Sequence, residues 1–336
     1  MTPKLFLCLS LSFIGLITHA QTITGVVLDA NTKIPIETAS VYFDNTTFGT
    51  ITDENGKFSM SYSNAIKSSL VISYLGYKTQ LITDYRREKS ITVFLEENPE
   101  TLGEVLINAD DGMSRRQKLK LFRREFLGTS NFGKSCTILN ENDIIIRYNK
   151  KERELTAYSK APIHIENKAL QYHITYDLAS FTLQFMPRND YNSAFDVKSV
   201  GFFGNSYYKD FKIFNEQKAV RNRNKAYNGS RLQFIRALYM QKLKENKYQI
   251  LLGNTKVNPW EYFFIESKST TEIKEVYLLQ PLNILFNDWE QSSIQFVIPS
   301  VFIDFYGNYT DADKVHFSGA MGEQRVGELL PFDYGL

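Results

Sequence analysis

Cysteine is almost missing from this 336-residue chain, which holds only Cys8 and Cys136. Cys8 lies in an N-terminal apolar run with the marks of a removed leader. The mature chain would then keep one thiol, which excludes an intramolecular disulfide framework. A lone cysteine of this kind usually serves as a small buried apolar side chain. Histidine is also scarce, with His164, His173 and His316 beyond the leader. None opens an H-E-x-x-H element and no H-x-x-E accompanies them, so the paired imidazoles of a zinc peptidase are missing. There is no G-x-S-x-G elbow and no phosphate-cradling glycine loop. After the N-terminus no apolar run approaches ~18 residues, which argues against a membrane-spanning helix. The formal charge is only +2, too small for a global field that would gather nucleic acid. These patterns yield no catalytic residue, no metal ligand and no cofactor.

What is present begins with an export signal. Lys4 precedes an apolar run from Leu5 to Ile17, and Thr18-His19-Ala20 supplies a small-residue exit. A charged start, a short apolar middle and such an exit imply cleavage after Ala20. Cys8 sits inside the run and not at the cleavage point, which argues against a lipid-anchored product. Aromatic residues make up 14% of the chain, with 20 Tyr and 25 Phe, favouring β-structure with amphipathic faces. The length suggests two domains. The expected division is a leader (1–20), a first domain (21–97), a linker leading into a basic segment (98–118) and a second domain (119–336).

The first domain shows seven strand-like stretches near 22–29, 39–44, 48–52, 57–61, 69–74, 77–82 and 90–95. Ile91, Val93 and Leu95 alternate with polar residues, as do Val41 and Phe43, giving strands with one buried face. Asp53-Glu54-Asn55-Gly56 supplies a tight turn, and it lacks the later acidic ligands of a calcium loop. Gly76-Tyr77 marks another corner. Seven short strands in this span predict a Greek-key sandwich. The G-x-V-x-D element at Gly25–Asp29, T-D-x-x-G-x-F at Thr52–Phe58 and Gly76-Tyr77, together with Pro35, Ile36, Ala39 and Gly49, resemble the carboxypeptidase-like regulatory domain. That resemblance implies a transthyretin-like β-sandwich, common in exported and outer-membrane proteins of Gram-negative bacteria, acting as a non-catalytic accessory module.

The linker is acidic, with Glu96, Glu97, Glu100, Glu104, Asp110 and Asp111, and encloses an apolar patch, Leu102 to Ile107, able to add to a sheet edge. Its T-L-G-E-V-L-I-N-A wording is similar to the segment that follows the same module in TonB-dependent receptors. Too few residues remain for their barrel at ~10 residues per strand. Arg115, Arg116, Lys118, Lys120, Arg123 and Arg124 then crowd together, and Leu119, Phe122 and Phe126 fall on one helical face. Two readings follow: a surface helix touching anionic lipid, or a helix docked on the second domain with its charges in solvent.

The second domain is expected to be a β-rich α+β unit with one prominent helix near 230–245. Ser230-Arg231-Leu232-Gln233 fits a capping box, and Leu232, Ile235, Tyr239 and Leu243 recur at helical spacing. Phrases such as Phe122–Gly128, Lys225–Ser230 and Gly322–Tyr334 resemble an uncharacterised domain that often follows the regulatory-like module, in which histidine is frequent where Gln233 stands. No activity comes with that resemblance. Cys136 with His164 or His173 is a candidate thiol–imidazole pair without local support, and Ser206–Lys209 matches S-x-x-K by composition. Trp260 and Trp289 are candidate sugar-stacking residues, although buried aromatics are the commoner case. The expectation is an exported, non-enzymatic envelope protein of the periplasm or outer membrane that binds another envelope protein or a surface glycan. The alternative is a glycan or peptide hydrolase with its site in 119–336.

Overall fold

The alternating N-terminal segments pair into two facing sheets. A computed structural model describes residues 20–63, 68–87, 90–98, 111–187, 195–213, 215–267 and 272–336. Residues 1–19 of the expected leader and the Leu102–Ile107 patch lie outside the described residues. Strands β1 (Ala20–Asp29), β2 (Ser40–Phe43), β3 (Gly49–Ile51), β4 (Lys57–Ser63), β5 (Leu70–Ser73), β6 (Gln80–Ile82) and β7 (Ser90–Leu95) form sheets in the orders β4-β1-β7 and β3-β2-β5-β6. Strand β1 runs antiparallel to β4 and parallel to β7. In β7 Ile91, Val93 and Leu95 are buried while their neighbours face solvent. They meet Val41, Phe43 and Ile72 of the other sheet in one core. The expected 53–56 turn forms: Asp53 accepts from the Asn55 and Lys57 N–H groups, and Gly56 takes φ +69°, which glycine tolerates without steric cost.

Helix α1 (Arg115–Leu127) opens on Ser114, whose side chain exchanges hydrogen bonds with Gln117 in a capping box. The helix ends at Gly128, and the short α2 (Asn131–Lys134) follows. Next come β8 (Cys136–Ile138), β9 (Ile144–Asn149), β10 (Glu154–Ser159), β11 (Ile163–Asn167), β12 (Tyr172–Phe185) and β13 (Val197–Asp210). They form a six-stranded sheet in the order β8-β11-β12-β10-β9, with β13 paired to β12. Strand β12 runs unbroken over fourteen residues, with a register shift against β13 between Leu178 and Ser180. Such a bulge bends the strand without ending it.

The remainder comprises α3 (Glu216–Tyr227), α4 (Arg231–Tyr239), β14 (Tyr248–Leu252), β15 (Thr255–Lys256), β16 (Phe263–Ser267), β17 (Ile273–Leu278), β18 (Leu282–Phe286), β19 (Glu290–Phe296), β20 (Ser300–Asp304), β21 (Val315–Ser318) and α5 (Gly319–Gly322). The sheet orders here are β15-β14-β18-β19-β21 and β16-β17-β20. Helix α4 stops at Tyr239, short of the expected 245, and Leu243 is buried beyond its end. Residues 119–336 therefore fold around two cores. One joins α1 to the six-stranded sheet through Phe122, Phe126 and Phe181, and the other surrounds Phe234, Tyr248 and Ile284. The chain is mainly β, as its sequence implies.

The sandwich is joined directly to the six-stranded sheet. The turn after β2 supplies Thr46, which bridges in parallel to Tyr207 of β13. Asn45 N–H donates to Ser206 O at 2.7 Å and Tyr208 N–H to Thr46 O at 3.0 Å. The C-terminal segment adds Phe332 N–H to Asn45 O at 2.6 Å, and Asp333 accepts from the Thr47 backbone and hydroxyl. An edge strand that would otherwise present unpaired backbone groups is covered this way. Gly49 permits the fit, because a Cβ there would meet the Tyr207 ring at 2.6 Å.

Candidate functional site

The basic residues singled out from sequence do not form one free patch. Phe122 and Phe126 are fully buried, stacked at 4.9 Å and packed on Phe181 and Tyr176. An interfacial helix needs its apolar face for lipid, and here that face belongs to the protein core. Lys118 is only 3% exposed and pairs with Asp111. Arg115 donates to the carbonyls of Ile144 and Glu141 at 3.1 and 2.9 Å. Arg123 grips both oxygens of Glu141, and that hydrogen bonding raises its pKa. Arg124 pairs with Glu125. Arg116 and Lys120 are exposed. Arg115 and Arg123 fasten α1 to the 141–144 turn, so the helix is docked, but the burial of Lys118 departs from the expectation that its charges lie in solvent.

The candidate nucleophiles are also in structural use. Burial pushes the Cys136 thiol up to about 12, and its Sγ donates to Phe132 O. A thiol held protonated is a poor nucleophile. His164 and His173 are exposed on β11 and β12, and the His173 ring lies against Phe211. Ser206 sits on β13, where its hydroxyl binds Asn45 Oδ1 and its N–H binds Asp44. Neither the thiol–imidazole pair nor the S-x-x-K match assembles.

Perturbed carboxyl groups cluster at the sandwich junction. Desolvation raises Asp44 to about 7, although Ser206 and Asn45 N–H groups oppose the shift. Asp177 on β12 is raised by the same burial and accepts from the Thr79 hydroxyl. Between these carboxyls and Tyr176, the buried Tyr42 hydroxyl has no hydrogen-bond partner among the described residues. Asp304 is raised to about 6 by burial and closes the 304–308 turn through the Asn308 N–H. A cleft of about 400 Å³ opens beside this junction, between Asp44 and Asn45 of the sandwich, Arg231 at the start of α4, Tyr309 and Gln324.

A second depression of about 470 Å³ lies where α2, α3, the β18–β19 hairpin and the 320–328 segment meet. Trp289 stands at its rim and is 71% exposed, contrary to the commoner buried case. Asn287 and Asp288 both have left-handed backbones, with φ of 57° and 68°, as in a type I′ hairpin turn. The turn is held by Asn287 N–H to Lys247 O at 3.1 Å and by Gln249 to Asp288. Phe132, Asn228, Glu290, Glu323 and Gln324 line the depression together with the indole, and burial raises the Glu290 carboxyl. Trp260 is instead half-buried against the core around Phe234. The sequence flags Trp289 but not the groove, because its walls come from four separated stretches. The Asn287-Asp288 pair, two residue types that tolerate a left-handed backbone, is the local signal that could have placed the indole on a turn.

Residues 23–107, about a quarter of the chain, match the family described as the CarboxypepD_reg-like domain. No curated protein matches the chain. Among solved structures, a type II cohesin–X-dockerin complex mutant from Acetivibrio cellulolyticus is 18% identical over 31% of this chain and 72% of that one, with a TM-score of 0.20. A Bacteroides uniformis protein provisionally described as carbohydrate binding is 8% identical over 85% and 99%, with a TM-score of 0.19. A Bacteroides fragilis protein of unknown function, provisionally described as membrane-associated, is 10% identical over 84% and 92%, also at 0.19. Likenesses this weak carry no argument about fold or role.

Proposed function

We propose that the chain, whose residues 23–107 match the CarboxypepD_reg-like family, is an exported, non-catalytic binding protein of the cell envelope. Its sandwich supports the larger region that carries the ligand surface. The partner is another envelope protein or a surface glycan. The observation that carries this reading is the junction itself. The 44–47 turn of the sandwich, β13 and the C-terminal 332–333 segment share one hydrogen-bond network. A module built into its neighbour this way transmits position and load, as a support must. The candidate nucleophiles favour the same reading, since Cys136 is held protonated and Ser206 bonds to the sandwich.

One observation favours the hydrolase alternative. Glu290, with its raised carboxyl, shares a groove with Glu323 and Glu328. A glycosidase needs a protonated and an ionised carboxyl facing each other across the substrate. Crosslinking in intact envelopes followed by affinity capture, run beside a turnover assay on glycan and peptide panels, separates the two readings. Recovery of a stoichiometric envelope partner, or glycan retention without cleavage, is the expected result. Steady turnover of any panel member overturns the non-catalytic reading. No helix among the described residues is long and apolar enough to cross a membrane.

A further inference from the structure

We infer that the groove under Trp289 is a subsite for an uncharged sugar unit of a glycan, with the indole as its stacking platform. The inference rests on the binding reading above and names the ligand class and place. Three features point the same way. First, a 71%-exposed indole sits on a hairpin tip whose backbone is fixed by the Asn287 and Gln249 contacts. Holding a large apolar face in water at a rigid position costs solvation energy and gives nothing to the core. A solitary exposed aromatic is ordinary on a protein surface; what sets this one apart is that it lines a groove with polar side chains, where a ligand's flat apolar face can cover it. The C–H face of a pyranose is such a surface.

Second, the groove below the indole offers both hydrogen-bond signs. Glu290 and Glu323 accept, while the Asn228 and Gln324 amides donate and accept. Gln324 Oε1 already accepts from the Arg231 N–H, which leaves the NH2 group as the donor this amide can offer a ligand. Sugar hydroxyls are themselves donors and acceptors, so they match such a lining. A lysine or arginine side chain of a peptide has only donors and would leave the amide donors unmatched. Third, charge sets a limit on the ligand. Glu290, Glu323 and Glu328 line the groove with Lys225, and Arg325 stands close to Glu323 and Glu328; the three carboxyl groups still outnumber these two cations, so uronic or sulfated sugars meet like charge.

Isothermal titration of the full chain with gluco-, manno-, galacto- and xylo-oligosaccharides, and with oligogalacturonate, tests the site. Binding of at least one neutral oligosaccharide is expected, with oligogalacturonate unbound. Trp289→Ala should weaken that binding at least tenfold and Trp289→Phe should restore part of it. Because the side chain lies outside every core cluster, the melting temperature should not move. The subsite is overturned if no neutral oligosaccharide binds, if Trp289→Ala binds like the wild type, or if the acidic oligosaccharide binds best. Loss of all sugar binding while an envelope protein is still captured removes this subsite and leaves the binding reading intact. A sugar that is bound through Trp289 and cleaved does the reverse.

Discussion

Arg236 links more of this molecule than any sequence pattern suggests. It lies on α4, is buried, and donates to the carbonyls of Tyr306, Tyr334 and Phe332 at 3.0, 2.8 and 2.7 Å. Its guanidinium also lies 5.5 Å from the Tyr227 ring centroid. A planar fork with several fixed donors suits three carbonyls from two segments, whereas a lysine ammonium is a single point charge. Arg236→Ala leaves those buried carbonyls unsatisfied and should cost about 3 kcal/mol. Arg236→Lys should recover less than half of that. Urea denaturation of both variants checks the ordering, and an Arg236→Lys chain as stable as the wild type would sink the argument. Arg223 plays a similar part on α3, binding Leu170 O and Asp210 over the Tyr172 ring. Neither arginine stands out in the sequence, because a buried guanidinium is recognised by the carbonyls that fold around it.

At the scale of elements, legibility follows locality. The sandwich strands are legible because each carries its own alternation and its own turn residues, as at 53–56. Helices α1 and α4 are legible because their apolar stripes are local, Leu119, Phe122 and Phe126 in the first and Leu232 and Ile235 behind the Ser230–Gln233 cap in the second. Helix α3 is not: its sequence, EQKAVRNRNKAY, buries only Ala219, Arg223 and Ala226, leaving no apolar stripe to detect. Strand β13 is hidden by Gly201, Gly204 and Asn205, which read as a loop until a partner strand is present. The predicted cap of α4 also differs in one bond. Gln233 Oε1 accepts from Gly229 N–H at 2.8 Å, not from Ser230, and from the Tyr248 hydroxyl at 3.0 Å. Ser230→Ala should therefore cost about 1 kcal/mol, the usual loss of a cap. Gln233→Leu strands the buried Gly229 N–H and leaves the Tyr248 hydroxyl only its longer 3.4 Å bond to Ser230 O, and should cost about 2 kcal/mol. Chemical denaturation that ranks the serine variant as the more damaged would contradict this placement of the glutamine.

Across the whole molecule, the consequential feature is an uncompensated pair of acids at the joint between sandwich and sheet. Asp44 and Asp177 are both raised by desolvation, and the like charge of Asp177 adds to the shift at Asp44. The groups around them are the Ser206 and Asn45 N–H donors, the Thr79 hydroxyl and the buried phenols of Tyr42 and Tyr176. The unfolded Asp44 carboxyl gives up its proton near 3.8, the folded one near 7. Between those values the folded chain binds the extra proton, so the contribution is complete below about pH 4, declines as pH rises to about 7, and is flat above. A shift of this size corresponds to at most about 4 kcal/mol, and partial exposure of the residue argues for less. Asp304, raised to about 6, gives a loss of the same sign, so the wild-type profile alone cannot assign the effect. Asp44→Asn keeps an oxygen for the Ser206 N–H and removes the titration. Denaturation midpoints of both proteins at pH 4.5 and 7.5 isolate it: the wild type should lose more stability than the variant over that interval. Parallel losses would mean that the joint tolerates a charged Asp44, and that its pH dependence arises at another group such as Asp304.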